Sequence, residues 1–102
     1  MIYEKLGRTD IERQADILKT LGHPARLCIM LKLTKGAKNV SEMQGCLNIP
    51  QSTVSQHLAT MRAKGLIKGE RKGTEVIYSI SDPSIKYIVE AIIKCWEEEN
   101  NG

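Results

Sequence analysis

The chain has 102 residues, of which 41% are hydrophobic and 26% are charged, which is typical of one compact soluble domain and excludes a second one. No apolar run approaches the roughly 20 residues of a membrane helix, and residues 1–19 carry charges where a signal peptide needs an apolar core. We therefore expect a cytoplasmic protein with no membrane partner. The three cysteines are widely spaced, which excludes a CxxC zinc knuckle and a secreted disulfide framework and predicts reduced thiols.

Charge is distributed unevenly along the chain, although the net charge is only +3. Residues 62–72 contain five cations and one anion, whereas residues 82–102 contain five anions and two cations. Clustered cations are the usual electrostatic signal for a polyanionic partner. One end of the domain is thus predicted to bind something negative.

Two helices are predicted at the start of the chain. The first runs from about Asp10 to Leu21, and the second begins at Pro24 and ends before Gly36. Apolar residues recur near one face of the first helix, namely Ile11, Ala15, Leu18 and Leu21. The second helix is rich enough in apolar residues to lie mostly in the core.

The next two predicted helices form a candidate helix-turn-helix over about residues 41–64. Ser41 and Gln44 read as a capping box for a short helix, and Pro50 presets the start of a longer one from about Gln51 to Lys64. The inward face of the longer helix carries Val54, Leu58 and Met61. On this pattern alone, an ordinary pair of antiparallel helices remains the alternative.

A β-hairpin is predicted over about residues 66–81. Leu66 to Lys72 and Glu75 to Ser81 flank Gly73 and Thr74, and alternating apolar residues mark the second segment as a strand. The tip of this hairpin is basic.

The last predicted helix spans about residues 83–97 and is capped by Asp82 or Ser84. Its apolar stripe exceeds what one small core requires, so we expect a homodimer formed through the helices at about residues 10–21 and 83–97. The predicted interface residues are Ile85, Ile88, Ile92 and Trp96. The whole chain, 1–102, is thus one mainly α domain with the order α-α-α-α-β-β-α, a winged helix-turn-helix.

The outward face of the Gln51 to Lys64 helix is polar, small and almost uncharged, which suits contact with base edges in the major groove. A merely solvated face is the alternative reading. The predicted base-facing residues are Ser52, Thr53, Ser55, Gln56 and Thr60, and Gln51 is predicted to contact DNA as well. The predicted phosphate contacts are Arg62, Lys64, Arg71 and Lys72. His57 lies at the flank of the inward face, where it either bonds within the domain or reaches a phosphate.

Three segments carry a resemblance to a known family: His-Pro-Ala-Arg-Leu at 23–27, Gln-Ser-Thr-Val-Ser-Gln-His-Leu at 51–58, and Arg-Lys-Gly at 71–73 followed by Val-Ile-Tyr-Ser-Ile at 76–80. Together they resemble the ArsR family of winged helix-turn-helix repressors. The resemblance implies a homodimer, a double-stranded operator as partner, and release by a metal or a thiol-reactive signal.

The metal sites of that family are depleted in this sequence. The stretch that matches the Cys-Val-Cys motif reads Asn-Val-Ser-Glu-Met at 39–43. The positions of a second site, late in the family's fold, read Asp82, Ser84, Cys95 and Glu98, of which only Asp82 fits the usual ligands. We predict no metal and no cofactor, with Asp82 as a helix cap, and keep a metal response through this degenerate site as the alternative.

The family's sulfur- and redox-sensing members carry one cysteine after the His-Pro-like segment and another late in the last helix, and Cys28 and Cys95 resemble that pair. We therefore expect a thiol-reactive signal acting on these two residues, with the inducer itself unknown. The alternative is that each cysteine packs as a small hydrophobic residue, which is the expected role of Cys46. His23, just before Pro24, is expected to cap or pack rather than to bind a metal.

Two other function classes compete with a DNA-binding regulator. An enzyme lacks the parts for a mechanism, since the sequence has two histidines, no phosphate-cradling glycine loop and no nucleophile elbow. A winged-helix protein-interaction module needs neither the basic hairpin tip nor the uncharged helix face. Both features therefore favour binding to DNA.

Overall fold

The computed structural model describes residues 2–101, which fold into five α-helices and one antiparallel β-hairpin. The elements are α1 (Arg8–Leu21), α2 (Pro24–Leu33), α3 (Val40–Met43), α4 (Gln51–Ala63), β1 (Ile67–Lys72), β2 (Glu75–Ile80) and α5 (Pro83–Asn100). Short 3₁₀ turns lie at Ile2–Lys5 and Cys46–Asn48. The predicted order α-α-α-α-β-β-α is confirmed, while the predicted end points 1 and 102 lie outside the described residues.

Helix α2 occupies the centre of the domain. It packs against α1, α4, α5, β2 and the Cys46–Asn48 turn. Ile29 and Met30 on α2 are completely buried. Pro24 starts the helix and His23 caps it, because the His23 Nδ1 accepts a hydrogen bond from the Ala25 amide at 3.1 Å.

The capping box of α3 lies two residues before the predicted one. Asn39 accepts a hydrogen bond from the Glu42 amide at 2.9 Å, and the Glu42 carboxylate accepts one from the Asn39 amide at 2.9 Å. Ser41 and Gln44, the predicted box, instead lie inside the helix and at its C-terminal end. The box of Asn39 and Glu42 forms in place of the box of Ser41 and Gln44. Asparagine is as good a cap as serine, and the glutamate carboxylate is a charged acceptor for the cap residue's own amide.

The wing is a β-hairpin with a two-residue loop, and backbone hydrogen bonds connect it to the start of the helix-turn-helix. Strands β1 and β2 pair from Ile67 with Ile80 to Lys72 with Glu75, and Gly73 adopts the positive φ of 66° that the turn demands. Lys38, just before α3, exchanges two backbone hydrogen bonds with Tyr78 at 2.8 and 3.0 Å. The hairpin therefore has a short third backbone partner on its inner side.

Helix α5 begins at the predicted cap. The Asp82 carboxylate accepts hydrogen bonds from the Ser84 amide at 2.8 Å and from the Ser84 hydroxyl at 2.9 Å. These two hydrogen bonds, the amide one foremost, lower the pKa of the exposed Asp82 carboxyl below its ordinary value. Among residues 2–101, no helix has both the length and the apolar character to cross a membrane.

Candidate nucleic-acid interface and cysteine pair

Core packing fixes the orientation of α4. Val54, Leu58 and Met61 are buried, as the sequence predicts. The residues exposed on the opposite side are Gln51, Ser52, Ser55, Gln56 and Ala59. None of them carries a charge, so this surface offers amide, hydroxyl and methyl groups, which are the groups that read base edges.

Three predicted contact residues lie at the border of that face. Thr53, His57 and Thr60 are half-buried. The Thr60 hydroxyl donates to the Gln56 carbonyl at 3.1 Å, within the same helix. Of the residues predicted to face DNA, Gln56 and its exposed neighbours are thus better placed than Thr60.

His57 bonds within the domain, which is one of the two roles that the sequence left open for it. Its Nδ1 accepts a hydrogen bond from the Arg26 Nε at 3.3 Å, and its ring lies 4.5 Å from the ring of His23. Arg26 also donates to the Thr20 carbonyl at 3.3 Å, so it joins the end of α1 to α4. Sequence reasoning missed Arg26, because the partner of a residue 31 positions away has no signature in a local pattern.

The environment of His57 favours the neutral form of the ring. Burial disfavours the charged ring and lowers the pKa of His57 below its ordinary value of 6.5, with smaller contributions from His23 and Arg26. A neutral ring keeps Nδ1 free to accept the Arg26 hydrogen bond, whereas a protonated ring has only donors.

The N-terminus of α4 has no side-chain cap. Pro50 precedes the helix and offers no capping side chain, so the Gln51 and Ser52 amides at the first turn have no side-chain acceptor. Unpaired amides and the helix dipole together favour an anion at this end. The sequence signal was Pro50 standing where a serine or aspartate cap is usual.

The basic residues divide into two groups. Arg62, Arg71 and Lys72 are exposed, and within residues 2–101 no ion pair engages them. Lys64 instead pairs with Asp16 of α1, with its Nζ 3.2 Å from the carboxylate oxygen. Lys64 thus joins α4 to α1, a pairing that sequence spacing does not reveal, and its predicted phosphate contact stays a prediction.

The cysteines are arranged differently from the prediction. Cys28 of α2 is bonded to Cys46 of the 3₁₀ turn, with the two Cα atoms 5.9 Å apart, and Cys95 is free and exposed on α5. The expected pairing of Cys28 with Cys95 and the expected reduced state of Cys28 and Cys46 are thus both corrected. Cys46 is buried as expected, but it reaches Cys28 because α2 packs directly against the turn.

The bonded turn has an uncommon backbone. Leu47 and Asn48 have φ values of 55° and 54°, the left-handed region that costs a residue other than glycine about 1 to 3 kcal/mol. A disulfide that closes a loop of this size lowers the conformational entropy of the unfolded chain and so raises the free energy of unfolding by about 3 kcal/mol. The two effects are of similar size, so the bond offsets the cost of the turn.

The residues of the degenerate metal site do not fit a metal ion. Asp82 uses its carboxylate to cap α5, and Cys95 lies exposed on the same helix. Within the described part of the chain, no three His, Cys, Asp or Glu residues come together in a way that holds a metal ion.

Exposed apolar side chains gather on α1 and α5. Those on the two helices are Ile11, Leu18, Tyr87, Ile92 and Trp96. Ile85 is buried within the protomer, so the interface predicted from the stripe is corrected at this position, whereas Ile88 is only partly buried against the core. The cause is the register of α5, which turns Ile85 and Val89 inward and leaves Trp96 63% exposed.

Comparison with known proteins places this geometry in context. The model of the arsR family of bacterial regulatory proteins matches residues 23–68. The chain is 43% identical over 89 residues to the transcriptional repressor PagR of Bacillus anthracis, covering 86% of this chain and 89% of PagR. It is 36% identical over 88 residues to the biofilm growth-associated repressor of Agrobacterium fabrum, covering 84% and 75% of the two chains.

Solved structures agree with the sequence comparisons. The crystal structure of PagR superposes with a TM-score of 0.75 at 42% identity and covers 84% of this chain and 99% of PagR. The reduced form of HlyU from Vibrio cholerae superposes with a TM-score of 0.81 at 27% identity, covering 86% and 93% of the two chains. PagR is a transcriptional repressor, a class of protein distinct from enzymes.

The lowered pKa of His57 predicts a pH-dependent stability. His57 binds a proton near pH 6.5 in the unfolded chain, but only at a lower pH in the folded chain. Its contribution to the free energy of unfolding is therefore complete above pH 6.5. That contribution is lost as the pH falls from 6.5 through the lower pKa of the folded state. Urea unfolding between about pH 7.5 and about pH 5 measures the effect. In the matched variant His57→Gln, which retains a hydrogen-bond acceptor, the loss of stability over this range should be smaller than in the wild type. Equal losses would contradict the assignment.

Proposed function

This chain belongs to the ArsR family of DNA-binding transcriptional repressors, and from that premise we propose that it works as a homodimer, reads an operator with α4 and releases it in response to a thiol-reactive signal of sulfur or redox chemistry. The observation that carries the proposal is the uncharged, exposed face of α4 around Gln56, flanked by exposed cations of the wing.

The proposed recognition of DNA divides the work between two kinds of contact. Gln56 and the exposed serines of α4 contact base edges in the major groove, because amide and hydroxyl groups match their donors and acceptors. Arg62, Arg71 and Lys72 contact phosphates, which gives affinity without sequence preference. The uncapped amides of Gln51 and Ser52 add a phosphate site at the helix end.

The proposed homodimer rests on the apolar side chains of α1 and α5. A soluble monomer rarely leaves a tryptophan, a tyrosine and several aliphatic residues exposed on two helices. Covering Leu18, Ile92 and Trp96 with a second copy removes this surface from water. A two-fold dimer also presents two copies of α4, and recognition helices about 34 Å apart match one turn of DNA.

The thiol part of the proposal rests on the cysteines. A bond between Cys28 and Cys46 shows that these two side chains are within reach of each other, which a thiol-based response requires. The metal-responsive alternative has weaker support, since Asp82 is occupied as a helix cap. A protein-interaction module without DNA binding leaves the exposed wing cations unexplained.

Substitutions on α4 and on the wing should have different effects on DNA binding. Gln56→Ala should remove one base contact. The free-energy difference by which the protein prefers a duplex selected from a random pool over one changed at that base pair should then fall by about 1 to 3 kcal/mol. Lys72→Ala should weaken binding to all duplexes alike and reduce the slope of log affinity against log salt by about 1. Fluorescence anisotropy with the selected duplex and a scrambled duplex measures both effects.

Ser41→Ala serves as the control for these variants, because Ser41 is exposed on α3, outside the proposed contacts. Its affinity for both duplexes should equal that of the wild type. If Gln56→Ala weakens the selected and scrambled duplexes equally, Gln56 does not read a base.

Disruption of the apolar face should yield a monomer. Trp96→Glu introduces a charge where the proposed interface excludes water, so light scattering at micromolar concentration should shift from the mass of a dimer to that of a monomer. Operator affinity should fall as well, because each monomer reads only half of the site. Leu47→Asn, which changes an equally exposed apolar residue away from α1 and α5, should remain a dimer. A wild-type monomer would contradict the proposal.

The thiol response should disappear when the cysteines are removed. Operator affinity of the wild type should differ between samples treated with a reducing dithiol and with glutathione disulfide, because only the cysteines exchange with these reagents. A variant with serine at positions 28, 46 and 95 should bind the operator with one affinity in both conditions. A wild type with the same affinity in both samples would limit the protein's role to thiol-independent repression.

A further inference from the structure

The disulfide between Cys28 and Cys46 connects the centre of the domain to the turn that leads into α4. We propose that this bond is a reversible restraint on the recognition helix, so that the bonded form holds the operator tightly and reduction of the bond by a dithiol releases it. The inference rests on the proposed function and specifies its signal, its residues and its direction.

The bond joins a rigid element to a weakly held one. Cys28 lies in the first half of α2, whose neighbours Ile29 and Met30 are completely buried. Cys46 lies in a 3₁₀ turn of three residues, after which the Ile49 amide donates to the Cys46 carbonyl at a long 3.4 Å. The disulfide is therefore the strongest connection between the turn and the core.

The backbone after Cys46 leads directly into α4, so the conformation of the turn affects the position of that helix. Leu47 and Asn48 both adopt left-handed φ values, and Leu47 is 57% exposed, so its side chain adds little packing to stabilise the turn. Only Ile49 and Pro50 then separate these residues from Gln51, the first residue of α4. A change in the conformation of the turn consequently moves the end of α4 that carries Gln51 and Ser52.

The direction of the effect follows from preorganisation. Binding requires one fixed position of the turn and of the α4 N-terminus, and a segment that is already restrained loses less conformational freedom when it binds. The disulfide joins two segments of one protomer and reaches α5 only through the packing of α2, so its direct effect on the distance between the two copies of α4 in a dimer is small. Its main effect is on order within each helix-turn-helix, which favours tighter binding by the bonded form.

The chemistry of release is thiol-disulfide exchange. A thiolate of the dithiol attacks the Sγ of Cys28, which is half-buried, whereas Cys46 is only 1% exposed. The bond between the two protein sulfurs breaks and Cys46 leaves as a thiolate that takes up a proton. The second thiol of the reductant then attacks the mixed disulfide and expels Cys28, so two electrons pass from the dithiol to the protein. Exchange with a low-molecular-weight disulfide reverses the sequence.

Lys32 lies against Gly45, the residue that precedes the leaving group Cys46. Its ammonium donates to the Glu42 carbonyl at 3.4 Å and lies 3.5 Å from the position that a Cβ on Gly45 would occupy, next to Cys46 in the chain. A cation at this place stabilises the thiolate that leaves during reduction. Cys95 offers no comparable partner in the described structure, because it is exposed on α5 and unbonded.

The test compares the two oxidation states of the full-length dimer. Samples are treated with glutathione disulfide or with dithiothreitol, the Cys28 to Cys46 bond is verified by alkylation and mass spectrometry, and affinity for the selected duplex is measured by anisotropy. The wild type and Cys95→Ser should bind roughly tenfold more tightly when oxidised, an ordinary coupling between two states. Cys28→Ser and Cys46→Ala should bind with the weaker affinity in both samples.

Each result has a distinct meaning. If the bond forms but leaves affinity unchanged, or if reduction tightens binding, the restraint is wrong while operator recognition stands. If the change in affinity between the two samples survives in Cys46→Ala but is lost in Cys95→Ser, the signal acts on Cys95 and the proposed restraint is wrong. Failure of both wild-type forms to bind any selected duplex overturns the proposed function itself. Circular dichroism checks that the variants fold, and the wild-type comparison needs no variant.

Discussion

Burial of Val54, Leu58 and Met61 is the constraint on which the rest of the structure depends. Each buried aliphatic side chain contributes about 1.5 to 3 kcal/mol, so turning α4 by half a rotation would cost roughly 5 to 9 kcal/mol. That is comparable with the whole stability of a small domain. Because α4 packs against α2, α3 and β1 at once, its rotation is set before any ligand arrives. The surface offered to DNA is thus a consequence of the hydrophobic core rather than a separate feature.

The parts of this molecule that sequence reasoning predicts are those governed by short-range periodicity. A spacing of three or four residues was enough to place the inward face of α4, and alternation was enough to place β2. Asp82 was identified as a helix cap because the energetics of capping depend on residues only two or three positions apart. The exposed, uncharged face around Gln56 follows from the same arithmetic, since it is the complement of the buried one.

The features that escaped prediction join residues that are distant in the chain. Arg26 meets His57 and Lys64 meets Asp16 only because α1, α2 and α4 converge, and the crossing of helices is not encoded in any local window. The pairing of Cys28 with Cys46 depends in the same way on how closely α2 packs against a turn. Even the α3 cap at Asn39 was displaced, because two neighbouring patterns satisfied the same local rule and their energies differ by little.

The two backbone hydrogen bonds between Lys38 and Tyr78 give the wing a mechanical role. An isolated two-stranded hairpin is marginally stable in water, whereas one with a third backbone partner resists fraying on that side. Lys38 directly precedes the Asn39 cap of α3, so the hairpin and the helix-turn-helix share a boundary. Force applied at the wing tip, such as the curvature of a bent duplex, is consequently transmitted through Tyr78 to the start of α3 instead of being absorbed by a loose loop.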